Sequence, residues 1–176
     1  MHRRRHRLTV SEIKAINDAG PRVAPVTVPG RPASWAELWR RFGRIPFGEL
    51  FEPAVYYGRA GFPVSPVTAH VWEKEYKSLL DYRDRPEIAG WFSTFLKDGQ
   101  PPEAGSVMKL PDHAQTLEIL RDTECESLYR GKLAEYIDRF SQSTGGFSEV
   151  RIWRVIIRCG CRLFMSITGA AMYGRC

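Results

Sequence analysis

Apolar residues recur at three- and four-residue spacing along most of the chain, with prolines set between the runs, a pattern that predicts a mostly helical body. Val10, Ile13 and Ile16 mark a short helix over 9–17, which Gly20-Pro21 ends. Four prolines then fall between Pro21 and Pro32, around the alternating Val26-Thr27-Val28. This predicts an extended segment running into a Pro29-Gly30 turn. Ser34 with Glu37 three positions later has the form of a capping box, and Trp35, Leu38, Trp39 and Phe42 make the apolar face of the helix it would open. Gly43 is expected to stop that helix in a left-handed conformation.

Proline sets the rest of the punctuation, because its fixed φ suits a helical first turn and its missing N–H goes unpaired there in any case. Pro46, Pro53 and Pro66 predict helices near Phe47 to Phe51, Ala54 to Ala60 and Val67 to Leu80, with Gly61 closing the second. Pro86 to Leu96 and Pro111 to Arg121 follow the same plan, the latter with Ala114, Leu117 and Leu120 on one face. Leu133, Ile137 and Phe140 share a face of a last helix, which Gly145-Gly146 terminates. The chain shows no internal repeat and no low-complexity tract.

Charge divides the 176 residues unevenly. There are 26 Lys+Arg against 20 Asp+Glu, a net of +6, yet residues 150–176 hold five arginines, no lysine and no acid. The preceding residues therefore carry 21 basic against 20 acidic groups, a net of +1. Three of the four cysteines (Cys159, Cys161, Cys176) fall in the same final stretch, leaving Cys125 alone in the body. A basic chain ordinarily raises nucleic acid or an anionic surface as partner, but here the excess belongs to one end. Composition suits one globular domain, at 43% hydrophobic and 12% aromatic residues. No stretch has the 18 to 20 apolar residues, roughly, that a bilayer span needs, and the basic Met1–Arg7 start leads into no apolar signal core. A single cysteine in the body gives no disulfide framework, so a reducing, cytoplasmic compartment is the default expectation.

Candidate chemistry is sparse. His2 and His6 have the spacing of two metal ligands on a helix, but Arg3, Arg4, Arg5 and Arg7 repel a cation, and a basic arm is the better reading. Cys159-Gly160-Cys161 has no further ligand at zinc-site spacing. Gly58 and Gly61 are too few for a phosphate-cradling loop and are read as helix punctuation. Asp112-His113 and Ser143-Thr144 supply the residue types of a hydrolase triad, but nothing sets a base beside either hydroxyl. His113, early in a helix, reads as a surface residue. Trp35, Trp39, Trp72, Trp91 and the tyrosines around Tyr56 recur at helical spacing, which predicts core rather than a base-stacking platform. No catalytic, cofactor-binding or metal-binding residue is assigned from this reading, and no cofactor is expected.

Five blocks, in order, resemble the large subunit of the gamma-glutamyltransferase (glutathione hydrolase) family. They are Val26-Thr27-Val28-Pro29-Gly30; Arg41-Phe42-Gly43-Arg44-Ile45-Pro46-Phe47 with Glu49-Leu50; Glu52-Pro53-Ala54-Val55 leading to Gly61-Phe62-Pro63-Val64-Ser65; Pro111-Asp112-His113-Ala114-Gln115-Thr116-Leu117; and Tyr129-Arg130-Gly131-Lys132-Leu133-Ala134, closed by Thr144-Gly145-Gly146-Phe147. Each reads as a helix boundary or turn, with Tyr-Arg-Gly inside a helical run. The resemblance implies an α+β fold, the αββα architecture of N-terminal-nucleophile hydrolases, of which this stretch is mainly the helical part of the large subunit. It also implies a precursor that cuts itself, so that a new N-terminal threonine attacks the gamma-glutamyl amide with its own α-amino group as base.

The chain departs from the family at both ends. Residues 1–25, a basic start and connector, do not contain the glycine-rich segment or the arginine motif with which the family grips the substrate carboxylate. Residues 26–149 are the family-like fragment. Past them, Val150-Arg151-Ile152-Trp153 replaces the family's Glu-Asp-Leu. Reading each codon as the last base of one residue and the first two of the next permits Glu-Asp-Leu there, Trp at Cys159-Gly160, and Tyr-Arg-Gly-Cys-Tyr-Val-Trp-Glu over Ile167 to Arg175. Residues 150–176 are accordingly expected to be an out-of-frame tail.

The resemblance implies a small subunit of the same family as partner, with neither nucleic acid nor membrane, and gamma-glutamyl substrates only in the intact enzyme. This chain alone is expected to be inactive. A cephalosporin or glutaryl acylase relative is the second enzyme reading, and a small basic binding module the non-enzymatic one.

Overall fold

Residues 29–145, together with Ser11, are described in a computed structural model of the chain. Seven helices span Arg31–Phe42 (α1), Glu52–Ala60 (α2), Pro66–Leu79 (α3), Pro86–Phe95 (α4), Pro111–Asp122 (α5), Ser127–Arg130 (α6) and Lys132–Ser143 (α7). Short 3-10 turns at Phe47–Leu50 and Leu80–Tyr82 precede α2 and follow α3. One small antiparallel ladder joins β1 (Phe62–Pro63) to β2 (Val107–Met108), with Phe62 opposite Met108 and Pro63 opposite Val107. The predicted 9–17 helix, the strand-like Val26–Val28 and the tail lie outside the described residues, apart from Ser11, which is helical.

Proline entry holds as the ordering device: Pro66, Pro86 and Pro111 each occupy the first position of a helix, and Pro53 the second of α2. At the start of α1 the same device displaces the predicted capping box. The helix begins three residues before Ser34, with Gly30 as its cap and Pro32 in its first turn. Ser34 is then an interior residue, so its hydroxyl donates back to the Gly30 carbonyl at 3.1 Å and Glu37 pairs with Arg40 instead.

Gly43 does end α1, but its backbone is extended (φ −63°, ψ 139°), not left-handed. Glycine is required there because a Cβ would overlap the Trp39 ring and carbonyl. Trp39 lies over Gly43 to donate its indole N–H to the Ile45 carbonyl at 2.7 Å. Gly61 is the left-handed stop, at φ +100°, and a side chain there would also strike Val107 in β2.

The core gathers Ala36 of α1, Phe47 and Phe51, Val55 of α2, Ala114 and Leu120 of α5, and Cys125, with Trp39, Leu117, Leu128 and Leu133 packed against them. Helices α2 and α5 approach so closely that a Cβ on Gly58 would lie 3.0 Å from that of Ala114. Gly58 is therefore a buried contact inside α2, and only Gly61 is punctuation. Gly131 likewise corrects the reading of Tyr-Arg-Gly. Its extended backbone separates α6 from α7, and a Cβ would meet Ser127 at 2.8 Å.

From Ser65 to Gln100 no residue is buried. This arm, α3 and α4 with the turn between them, is joined along a half-buried aromatic seam. Trp72 meets Phe95 at 5.9 Å, Tyr76 meets Phe92 at 6.2 Å, and Trp91 meets Phe95 at 5.8 Å between ring centres. The expectation of aromatic core holds in part: Trp35 and Tyr56 are exposed.

Candidate functional site

None of the residue types considered for hydrolysis is assembled into a reacting centre. His113 is exposed, as expected, and its ring rests on Phe95, with 5.6 Å between centres. Ser143 and Thr144 both donate to the Phe140 carbonyl, at 2.9 and 2.7 Å, as hydroxyls at a helix end do. Neither hydrogen bond activates an oxygen, because the hydroxyl proton is given to a carbonyl and not to a base. Cys125, which sequence reading treated only as a lone thiol, is buried at the turn after α5 with φ +68°. Burial pushes its thiol up to about 11, so it is protonated near neutrality and lacks the thiolate a nucleophile needs. Among the described residues no group of three or more His, Cys, Asp or Glu is placed to hold a metal, and no helix is long and apolar enough to cross a membrane. His2, His6, Cys159 and Cys161 lie outside the described residues.

The charged groups form struts between elements. Arg40 donates to Glu124 at 2.8 and 3.1 Å and to Glu37 at 2.9 Å, tying α1 to the turn after α5. Arg59 grips Glu118 with two bonds of 2.9 and 2.6 Å across α2 and α5, which holds the Glu118 carboxyl below its usual range.

A longer-range tie crosses the body. Tyr129, in α6, is fully buried; its hydroxyl donates to the Pro29 carbonyl at 2.6 Å and accepts from the Ala33 N–H at 2.9 Å. One of the two otherwise orphaned N-terminal groups it serves belongs to the first turn of α1. Sequence reading noticed the Tyr-Arg-Gly and Pro-Gly blocks separately, and the fold brings them into contact. An open apolar groove of about 590 Å³ lies between α1, the 3-10 turn and α2, with Leu117 of α5 also in its lining. Its single charged lining residue is Arg44. The groove was not anticipated.

The fold is shared with solved enzymes. The structure of cephalosporin acylase from Bacillus halodurans superposes with a TM-score of 0.73 at 33% identity, covering 80% of this chain and 28% of that one. Helicobacter pylori gamma-glutamyltranspeptidase superposes at 0.70 with 20% identity, over 77% of this chain and 38% of that one, a likeness in fold alone. The fold is thus that of the N-terminal-nucleophile hydrolases of the gamma-glutamyltranspeptidase and acylase kind, represented here mainly by helices.

The sequence defines the family itself. The gamma-glutamyltranspeptidase family profile matches residues 5–151, and the chain belongs to that family. Among curated relatives, glutathione hydrolase proenzyme 2 of Schizosaccharomyces pombe is 32% identical over 143 residues, which are 78% of this chain and 22% of the relative. The chain spans about a fifth of the length of the curated relatives it matches.

Proposed function

We propose that this chain is a piece of the large subunit of a gamma-glutamyl hydrolase or transferase, and that by itself it is scaffold without turnover. The observation that carries this reading is chemical. The described body belongs to the family, yet the Ser143 and Thr144 hydroxyls serve a helix carbonyl, its buried cysteine is protonated, and Arg40 and Arg59 are occupied by Glu37, Glu124 and Glu118. In this reading the nucleophilic threonine, its amine base and the oxyanion donors come from a small subunit, and the carboxylate-gripping arginine from an upstream segment. Loss of one oxyanion donor alone typically costs about 100- to 1,000-fold, so a chain without any of these groups has no turnover above background.

The direct test is release of chromophore from a gamma-glutamyl anilide by the purified chain, with and without a separately expressed small subunit of the family. Silence in both arms, or turnover only on mixing, fits the proposal, the second outcome defining a split enzyme. Turnover by the chain alone overturns it. A second reading, an acylase, is favoured by one observation: the cephalosporin acylase structure is nearer in both identity and superposition than the Helicobacter pylori transpeptidase. Assaying a glutaryl amide beside the gamma-glutamyl anilide separates the two.

The change in composition at residue 150 is part of the same proposal. The coding DNA read one step over should continue through Trp-Val and Tyr-Arg-Gly into a threonine-headed small subunit. A stop within those codons sinks the frame-shifted reading of residues 150–176.

A further inference from the structure

The groove beside α1 is lined by apolar side chains apart from Arg44. Trp35, Leu38, Phe42, Ile45 and Leu50 line it, and each is exposed, Phe42 by 67% and Ile45 and Leu50 by 50%. Large side chains left open around a concave floor mark a place where another polypeptide seats. The space between α1 and the 3-10 turn is bounded by helical walls, the form in which an amphipathic helix is received.

Charge selects the occupant. Arg44 is the one charged residue in the lining and has no ion-pair partner among the described residues, whereas Arg40 beside it is already held by Glu37 and Glu124. Residues 150–176, with five arginines and no acid, and residues 1–28, with six basic against two acidic groups, carry the wrong sign to seat against it. A second copy offers the same cation at the same place, and an isologous contact would bring two such rims together. What remains is a different segment, apolar on one face and carrying a carboxylate at its edge. Relatives supply such additional chain in quantity, since this one spans 22% of their length.

We propose that the groove lined by Trp35, Phe42 and Leu50 is the docking site for an amphipathic helix from the part of the family body that this chain does not cover, with a carboxylate of that helix on Arg44. The inference rests on the reading of the chain as a family fragment. It predicts the partner's chemistry, apolar residues at three- and four-residue spacing with Asp or Glu at the margin. Arg44 then acts on partner choice and association rate more than on the fold.

The test uses overlapping peptides of about 18 residues that tile the unmatched part of Schizosaccharomyces pombe glutathione hydrolase proenzyme 2, titrated against the whole chain by fluorescence polarisation. Binders should be amphipathic and acidic at the margin. Phe42→Glu should abolish their binding, and Arg44→Glu should weaken them about tenfold while improving variants in which the peptide's acids are lysines. Both residues are exposed, and circular dichroism with a thermal melt verifies that each variant is folded. No binder, or binders indifferent to both substitutions, overturns the proposal. So does a dimer in sedimentation that Phe42→Glu dissolves, since the occupant is then a second copy. Turnover in the mixing assay without any groove-binding peptide removes the groove inference and leaves the family reading intact, whereas turnover by the chain alone removes the reading on which both rest.

Discussion

The body around α2 and α5 and the arm formed by α3 and α4 have similar shares of apolar and aromatic residues but spend them differently. In the body, Phe47, Phe51, Val55, Ala114, Leu120 and Cys125 meet from four directions and are buried. In the arm, Trp72, Tyr76, Trp91, Phe92 and Phe95 meet along one seam, with Phe95 also touching His113 of α5, and none is buried. Two helices supply one interface, and one interface leaves the far side of every ring in water. Burial thus depends on the number of layers that converge, and a hydrophobic count along the chain does not reveal that number. The body's own buried core is small, so single truncations in it take a large share of its stability.

The contrast breaks first if truncations cost the same in both regions. Tyr129→Ala removes a fully buried ring and its two hydrogen bonds, and should destabilise by about 3–5 kcal/mol, whereas Trp91→Ala in the arm should cost less than about 2 kcal/mol in global stability. Urea denaturation of the two variants decides this. Two glycines repeat the comparison at smaller scale. Gly58→Val should cost about 1–3 kcal/mol by overpacking against Ala114. Gly90→Ala, in α4 with open space around it, should stabilise by about 0.5–1 kcal/mol.

The pH dependence sharpens the account of the core. Because burial raises the Cys125 thiol to about 11, the unfolded chain loses its thiol proton first as pH rises. The stability linked to this group is complete below the ordinary thiol range and is lost between that range and about 11, an effect on the order of 2 kcal/mol. Cys125→Ala should flatten that portion of the stability–pH curve. An unchanged alkaline slope in the variant would mean that Cys125 does not carry the linkage.

Much of this fold was legible in the sequence because proline marks a helix start by a local steric rule that tertiary contacts do not overturn. Pro66, Pro86 and Pro111 opened their helices where expected. Where two local signals competed, neither outranked the other on local grounds: Pro32 and the Ser34 box both announce a start, and the proline with Gly30 prevailed. Glycines were misread wherever their role was close approach. Gly58 against Ala114 serves a contact that only the fold creates, whereas Gly43 under Trp39 and Gly131 over Ser127 each leave room for a residue four positions earlier. Two-residue strands leave too short an alternation to read. The groove and the Tyr129 tie were not legible, because exposure of Phe42 and the meeting of Tyr129 with Pro29 depend on neighbours about 100 residues apart in the tie.

Native-state hydrogen exchange tests the difference between body and arm most directly. The amides of Val55 and Ala114, bonded to Phe51 and Leu110 in the body, should exchange at least about 100-fold more slowly than those of Ala69 and Ala89, bonded to Ser65 and Arg85 in the arm. Equal protection of the two pairs, whether both slow or both near the rate of an unfolded chain, would contradict the account.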